Sequence, residues 1–125
     1  MGNGRTLFQS DLQRISHILE QIHCDMLLDT GHARIAASLR RMDIFEYFRQ
    51  LPLHRVVQIH ASGPRERNGQ LADVHEPLQE EDYTILEWLL QRTRPQVLTL
   101  EYFRDPAGLR EQLNRLALFT LEEPY

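Results

Sequence analysis

Three short apolar runs, each ending in a side chain that can ligate a metal, constrain this chain most. Residues 26–29 end in the carboxylate of Asp29, residues 56–60 in the imidazole of His60, and residues 97–101 in the carboxylate of Glu101. Within each run the apolar residues are nearly continuous and do not alternate with polar ones. That is the pattern of a strand covered on both faces, as in a parallel sheet. Strands are therefore expected over 25–29, 55–61 and 96–101, each followed by a stretch able to form a helix. Spacing of that kind gives one β/α unit per strand, with parallel neighbours and right-handed crossovers.

Length limits how far such a pattern can go. The 125 residues suit one domain, whereas a closed eight-stranded β/α barrel takes roughly 250. The expected fold class is α/β, with parallel β/α units forming about half of a TIM barrel. Residues 1–7 read as a loose leader and 8–125 as a single partial β/α-barrel domain. A first helix is expected over 10–22, where Phe8, Leu12, Ile15, Leu19 and Ile22 share a face. Residues 33–41 should be helical, and Asp43 should cap a further helix bearing Ile44, Phe45, Tyr47 and Phe48. Residues 62–77 are polar and read as one long loop, of a length more often functional than not. Glu80, Glu81 and Asp82 open the next helix, where acids favour the positive end of its dipole. Its apolar stripe is Tyr83, Leu86, Leu89 and Leu90. Asp105-Pro106 starts the last helix, which Leu109, Leu113 and Leu116 should pack inward.

Composition removes several functions. The net charge is −4 and the chain has no lysine, which excludes a Schiff-base lysine and a phosphate loop ending in Gly-Lys-Ser/Thr. An acidic balance argues against nucleic acid as a partner. One cysteine, Cys24, cannot form an internal disulfide, so a cytoplasmic setting is expected and Cys24 reads as packing. No apolar run nears the roughly 20 residues that span a bilayer. Gly2 alone is a weak basis for myristoylation. Ser62 lies near His60 without a Gly-x-Ser-x-Gly elbow, which speaks against a serine hydrolase.

Carboxyl ends of parallel strands are where barrel enzymes keep their chemistry. Asp29 sits at such an end, with His32 three residues on and Gly31 available for a sharp turn between them; a helix cap is the plainer role for Asp29. His60 leaves its strand where an imidazole could ligate a metal, or could be a satisfied core histidine. Asp73 and His75 stand two apart, so in an extended segment they face one side and could reach one ion; otherwise they simply face water. Glu101, after the run Val97-Leu98-Thr99-Leu100, needs a metal or a partner such as Arg104. Together Asp29, His32, His60, Asp73, His75 and Glu101 suggest a metal site of iron, zinc or manganese character. Arg65 and Arg67 could grip an anionic substrate group, or be solvated. Trp88 reads as core, no role is assigned to His17, His23 or His54, and no residue is singled out as catalytic.

These residues resemble a known pattern. Asp-x-x-His, a strand-end His, Asp-x-His and a strand-end Glu are similar to the ligand order of the xylose-isomerase-like barrel superfamily, which includes the endonuclease IV family. The wider text more closely resembles the multinuclear non-haem iron-dependent oxidases of the methanobactin-maturation type. The stretches concerned are Leu27-Leu28-Asp29 with His32-Ala33-Arg34, Val57 to Gly63, Asp73-Val74-His75-Glu76-Pro77, and Leu100-Glu101. The likeness covers about residues 8–117 and corresponds to the C-terminal half of those barrels. It implies that Asp29, His60 and Glu101 serve one metal and His32, Asp73 and His75 another. It also implies further histidines and a bridging glutamate on strands absent from this chain. Two positions depart from the oxidases, which often have asparagines where this chain has Gly31 and His32, and an aspartate at Phe103.

Three functions follow as expectations. The resemblance implies part of a peptide-modifying oxidase with two or three iron ions. A zinc- or manganese-dependent hydrolase or isomerase is the second reading, with a metal-activated water as nucleophile. The third is a non-catalytic half barrel that self-associates. The partners expected are a peptide, the missing N-terminal half barrel or a second copy, with no membrane.

Overall fold

The computed structural model describes residues 25–121. The leader, the helix expected over 10–22, His17, His23 and Cys24 lie outside the described residues. The elements are β1 (Met26–Asp29), α1 (Thr30–Leu39), α2 (Ile44–Arg49), a short 3-10 turn (Leu53–Arg55), β2 (Val56–Ala61), β3 (Gly63–Arg67), β4 (Gln70–Glu76), α3 (Glu80–Leu90), β5 (Val97–Leu100) and α4 (Pro106–Leu121). β1, β2 and β5 form a parallel sheet with β2 in the middle. Helices alternate with these strands, so the fold is a partial β/α barrel.

Caps set the helix starts. Asp29 accepts the His32 amide at 2.9 Å, so α1 begins directly after β1 and three residues earlier than the sequence pattern suggests. His32 therefore lies in the first turn of α1. Asp43 accepts the amides of Phe45 and Glu46 and caps α2, as its position predicts. Asp105 accepts the Gly108 amide at 2.7 Å at the start of α4. In α3, Asp82 reaches back to the Gln79 amide at 2.8 Å.

The core joins Leu28, Ile59, Ala61 and Leu100 of the sheet to Phe48, Ile85, Leu86, Leu89 and Leu116 of the helices. Trp88 stacks on Phe48 with ring centroids 5.8 Å apart and belongs to this core, as read from the sequence. Burying a Leu or Phe side chain is worth about 1.5–3 kcal/mol, so this cluster carries much of the fold's stability. Arg34 is buried as well; it reaches from α1 to α3 and donates to Asp82 at 2.6 Å and Glu81 at 3.0 Å. Burial pushes the Asp82 carboxyl up, while the Gln79 amide and the Arg34 guanidinium pull it back down.

Three expectations need correction. Residues 62–77 are no loop. They form the antiparallel hairpin β3–β4, with Asn68 (φ 54°) and Gly69 (φ 81°) at its turn. Both central residues in left-handed conformation define the tight turn that Asn-Gly favours. At the hairpin's base Gly63 is obligatory, since a Cβ there would lie 2.5 Å from the Glu76 carbonyl oxygen. Burial on both faces is also incomplete: among the described residues β1 and β5 are the outer strands of the sheet, and Leu27 and Val97 on them are about half exposed. Finally, Leu116 is buried in α4 and Leu109 partly so, but Leu113 is exposed. None of the helices described is long and apolar enough to cross a membrane.

Candidate metal centre

Parallel register brings three candidate ligands together. Asp29 stands opposite His60 across β1 and β2. Ala61 stands opposite Leu100 across β2 and β5, and the Glu101 amide donates to the Ala61 carbonyl at 2.9 Å. Glu101 thereby continues β5 to the same end as the other two. Asp29, His60 and Glu101 offer ligand atoms that all lie within 4.8 Å of one another, and all three residues are partly buried. His60 Nδ1 is 3.8 Å from Glu101 Oε2.

Neighbouring groups hold this trio in place. The His32 amide fixes one oxygen of Asp29, so the carboxylate caps α1 and lines the site at once. Gln58, two residues before His60 and so on the same face of β2, places its Nε2 3.0 Å from His60 Nε2. Sequence reasoning missed Gln58, although its i, i+2 spacing to a ligand was the signal available. It also missed Thr30, and weighed Ser62 only as a hydrolase nucleophile. The Ser62 amide donates to Thr30 Oγ1 at 3.2 Å, and Ser62 Oγ is buried with no hydrogen-bond partner among the described residues. Gly31 has no positive φ and makes no sharp turn. Its role is close packing: a Cβ there would lie 2.8 Å from Ser62 Oγ.

A second group forms beside the first. Asp73 and His75, two apart on β4, face one side, and the hairpin folds them back over α1. Asp73 Oδ2 is 2.8 Å from His32 Nε2, and Asp73 Oδ1 is 3.7 Å from His75 Nε2. Asp73 thus stands between the two imidazoles. These three are more exposed than the first trio, and their ligand atoms converge less tightly.

Electrostatics favour a cation here. Burial pushes the Glu101 carboxyl up, and the adjacent Asp29 carboxyl adds to the rise; His60 and His75 oppose it. Like charges at this range disfavour joint ionisation unless a positive charge intervenes. The hydrogen bond that the His32 imidazole donates to Asp73 raises its pKa; burial opposes that rise, and the charges of Asp29, Asp73 and Glu101 support it. Nearby arginines turn elsewhere. Arg104, a candidate partner for Glu101 in the sequence, pairs with Glu76 at 2.7 Å. Arg65 donates to the carbonyls of Gly63, Pro64 and Pro77 and clamps the hairpin base. Arg67 donates to the Glu66 carbonyl at 3.0 Å and to Glu76 at 3.5 Å. Carboxylates, imidazoles and no thiolate make a donor set that fits iron, manganese or zinc.

The profile of the RiPP precursor modification enzyme MbnB/TglH/ChrH family matches residues 8–117. A UPF0276 protein of Acaryochloris marina is 29% identical over 97 residues, covering 77% of this chain and 35% of that protein. A UPF0276 protein of Caulobacter vibrioides is 28% identical over 105 residues, covering 83% of this chain and 38% of its own length. The chain thus spans a little over a third of the length of these relatives. It belongs to the RiPP precursor modification enzyme MbnB/TglH/ChrH family.

Proposed function

We propose that this chain carries the C-terminal part of a metal-dependent centre that modifies a ribosomally made peptide. The convergence of Asp29, His60 and Glu101 from three neighbouring strand ends carries this reading. In it these three hold one metal, and His32, Asp73 and His75 contribute to a second. Iron is the metal favoured, with zinc or manganese as the alternative for a hydrolytic or isomerising relative. Bound iron would supply redox chemistry with oxygen at a cysteine-bearing peptide.

The chain's own residues bind and orient. The His32 amide holds Asp29, Gln58 orients the His60 ring, and the Ala61 carbonyl sets the start of the turn that presents Glu101. Ser62 leaves a buried hydroxyl free to donate beside Gly31. The remaining donors belong, in this reading, to barrel strands beyond the stretch that matches, whether on the same polypeptide or a partner subunit.

Metal analysis of anaerobically purified protein tests this. His60→Ala should lower metal content well below that of His17→Ala, and iron should predominate with oxygen consumption. Equal metal in the two variants would sink the assignment, and zinc with phosphatase or nuclease activity would move it to the hydrolytic alternative.

A further inference from the structure

The rim beside His75 carries a feature that metal ligation does not use. Arg104 Nη2 lies 2.7 Å from Glu76 Oε2, and Arg67 Nη2 lies 3.5 Å from the same oxygen. Two guanidinium groups on one carboxylate leave one positive charge in excess, on a chain whose net charge is −4. Glu76 is mostly buried, whereas both arginine side chains are more than half exposed. Glu76 therefore offsets one of the two charges and leaves the outer faces of both guanidiniums in solvent. Each guanidinium has five N–H donors, and most of them are not engaged by Glu76.

Next to Arg104 in the chain is Phe103, which is 77% exposed. Its ring meets His75 edge-on, with centroids 5.7 Å apart. An aromatic so exposed adds little to folding, yet it stands two residues from Glu101. Phe103 and Arg104 thus form a rim continuous with the ligand cluster, apolar nearest His75 and cationic farther along.

We propose that this rim seats an acidic segment of the peptide substrate, with an apolar side chain on Phe103 and an Asp or Glu side chain on Arg104 and Arg67. This rests on the reading of the site as a peptide-modifying centre. Guanidinium–carboxylate pairing supplies the charge preference, and the aromatic face supplies sequence-tolerant apolar contact.

Two synthetic cysteine-containing peptides test it, both acetylated and amidated, identical except that one carries two Glu where the other has two Gln. Binding to the full chain is read by anisotropy of a labelled peptide at low salt, with and without manganese. The Glu peptide should bind tighter, by about threefold per charge, and added salt should shrink the difference. Arg104→Gln and Arg67→Gln should each reduce the preference, and Phe103→Ala should weaken both peptides alike. Glu76→Gln frees both guanidiniums and should widen the preference, a gain that misfolding cannot produce. Equal binding of the two peptides, no binding of either, or an unchanged preference in Arg104→Gln overturns the proposal. Metal content measured on the same samples separates the two readings. Loss of metal in His60→Ala with no peptide preference overturns the acidic seat alone; a peptide preference in a protein that takes up no metal overturns the metal centre alone.

Discussion

At the scale of single residues, Gly31 and His32 depend most on their surroundings. Gly31 looks in the sequence like a turn residue, but its backbone is helical and its value lies in having no side chain against Ser62. Gly31→Ala should destabilise the fold by about 1–3 kcal/mol through overpacking. The double variant with Ser62→Gly should recover part of that loss, because both Ser62 Cβ and Oγ crowd the new methyl group; urea unfolding of the two proteins measures this. The His32 imidazole is raised above its ordinary value because Asp73 accepts a hydrogen bond from it. An NMR titration of the metal-free protein should place His32 above 6.5, and Asp73→Asn should bring it down. For a histidine raised on folding, the stabilisation is complete below the unfolded value and disappears as pH rises through the folded one. A metal bound at His32 and Asp73 would compete with the same proton, so its uptake should weaken as pH falls through that raised value.

At the scale of elements, the hairpin and the α1–α3 contact each rest on one local device. Asn68-Gly69 was passed over inside the expected long loop, and the flanking strands were hidden because Pro64, the charges of 65–67 and the largely polar β4 lack β-branched runs. What makes them a ladder is pairing, with Arg67 opposite Gln70 and Glu66 opposite Leu71. Gly69→Ala should cost about 1 kcal/mol because φ is +81° there. Hydrogen exchange at the hairpin amides would show it, with the central sheet unaffected. The α1–α3 contact is stricter. Arg34→Ala leaves Asp82 buried without its cation, and should cost about 3–5 kcal/mol in a denaturant titration. The sequence shows Asp82 only as an acid in a helix's first turn; that it meets Arg34, 48 residues earlier, is a tertiary fact.

At the scale of the whole molecule, the candidate site ties the sheet together. Its three candidate ligands stand one on each of the parallel strands or their immediate ends, so a bound ion would link β1, β2 and β5 at once. A metal that binds the folded state only should add about 2.7 kcal/mol at a hundredfold excess over its dissociation constant. Thermal unfolding with ferrous ion under anaerobic conditions should show this upward shift in the native protein and lose most of it in Asp29→Asn. An equal shift in both proteins would place the metal elsewhere.

Sequence alone determined the parallel β/α rhythm and the strand-end positions of Asp29, His60 and Glu101, because hydrophobic period and residue spacing are local quantities. It also placed Asp73 and His75 on one side of an extended segment. Spacing left open which of these side chains meet; the resemblance grouped them, and the tertiary structure supplies the contacts. Register between strands thirty residues and more apart set the trio, and the fold-back of a hairpin brought Asp73 to His32. The same non-local packing turned Arg104 from Glu101 to Glu76 and left Leu27 and Val97 exposed at the sheet's edges. Such choices follow from competition among distant partners for the same charged groups and the same apolar surface, which no stretch of sequence encodes by itself.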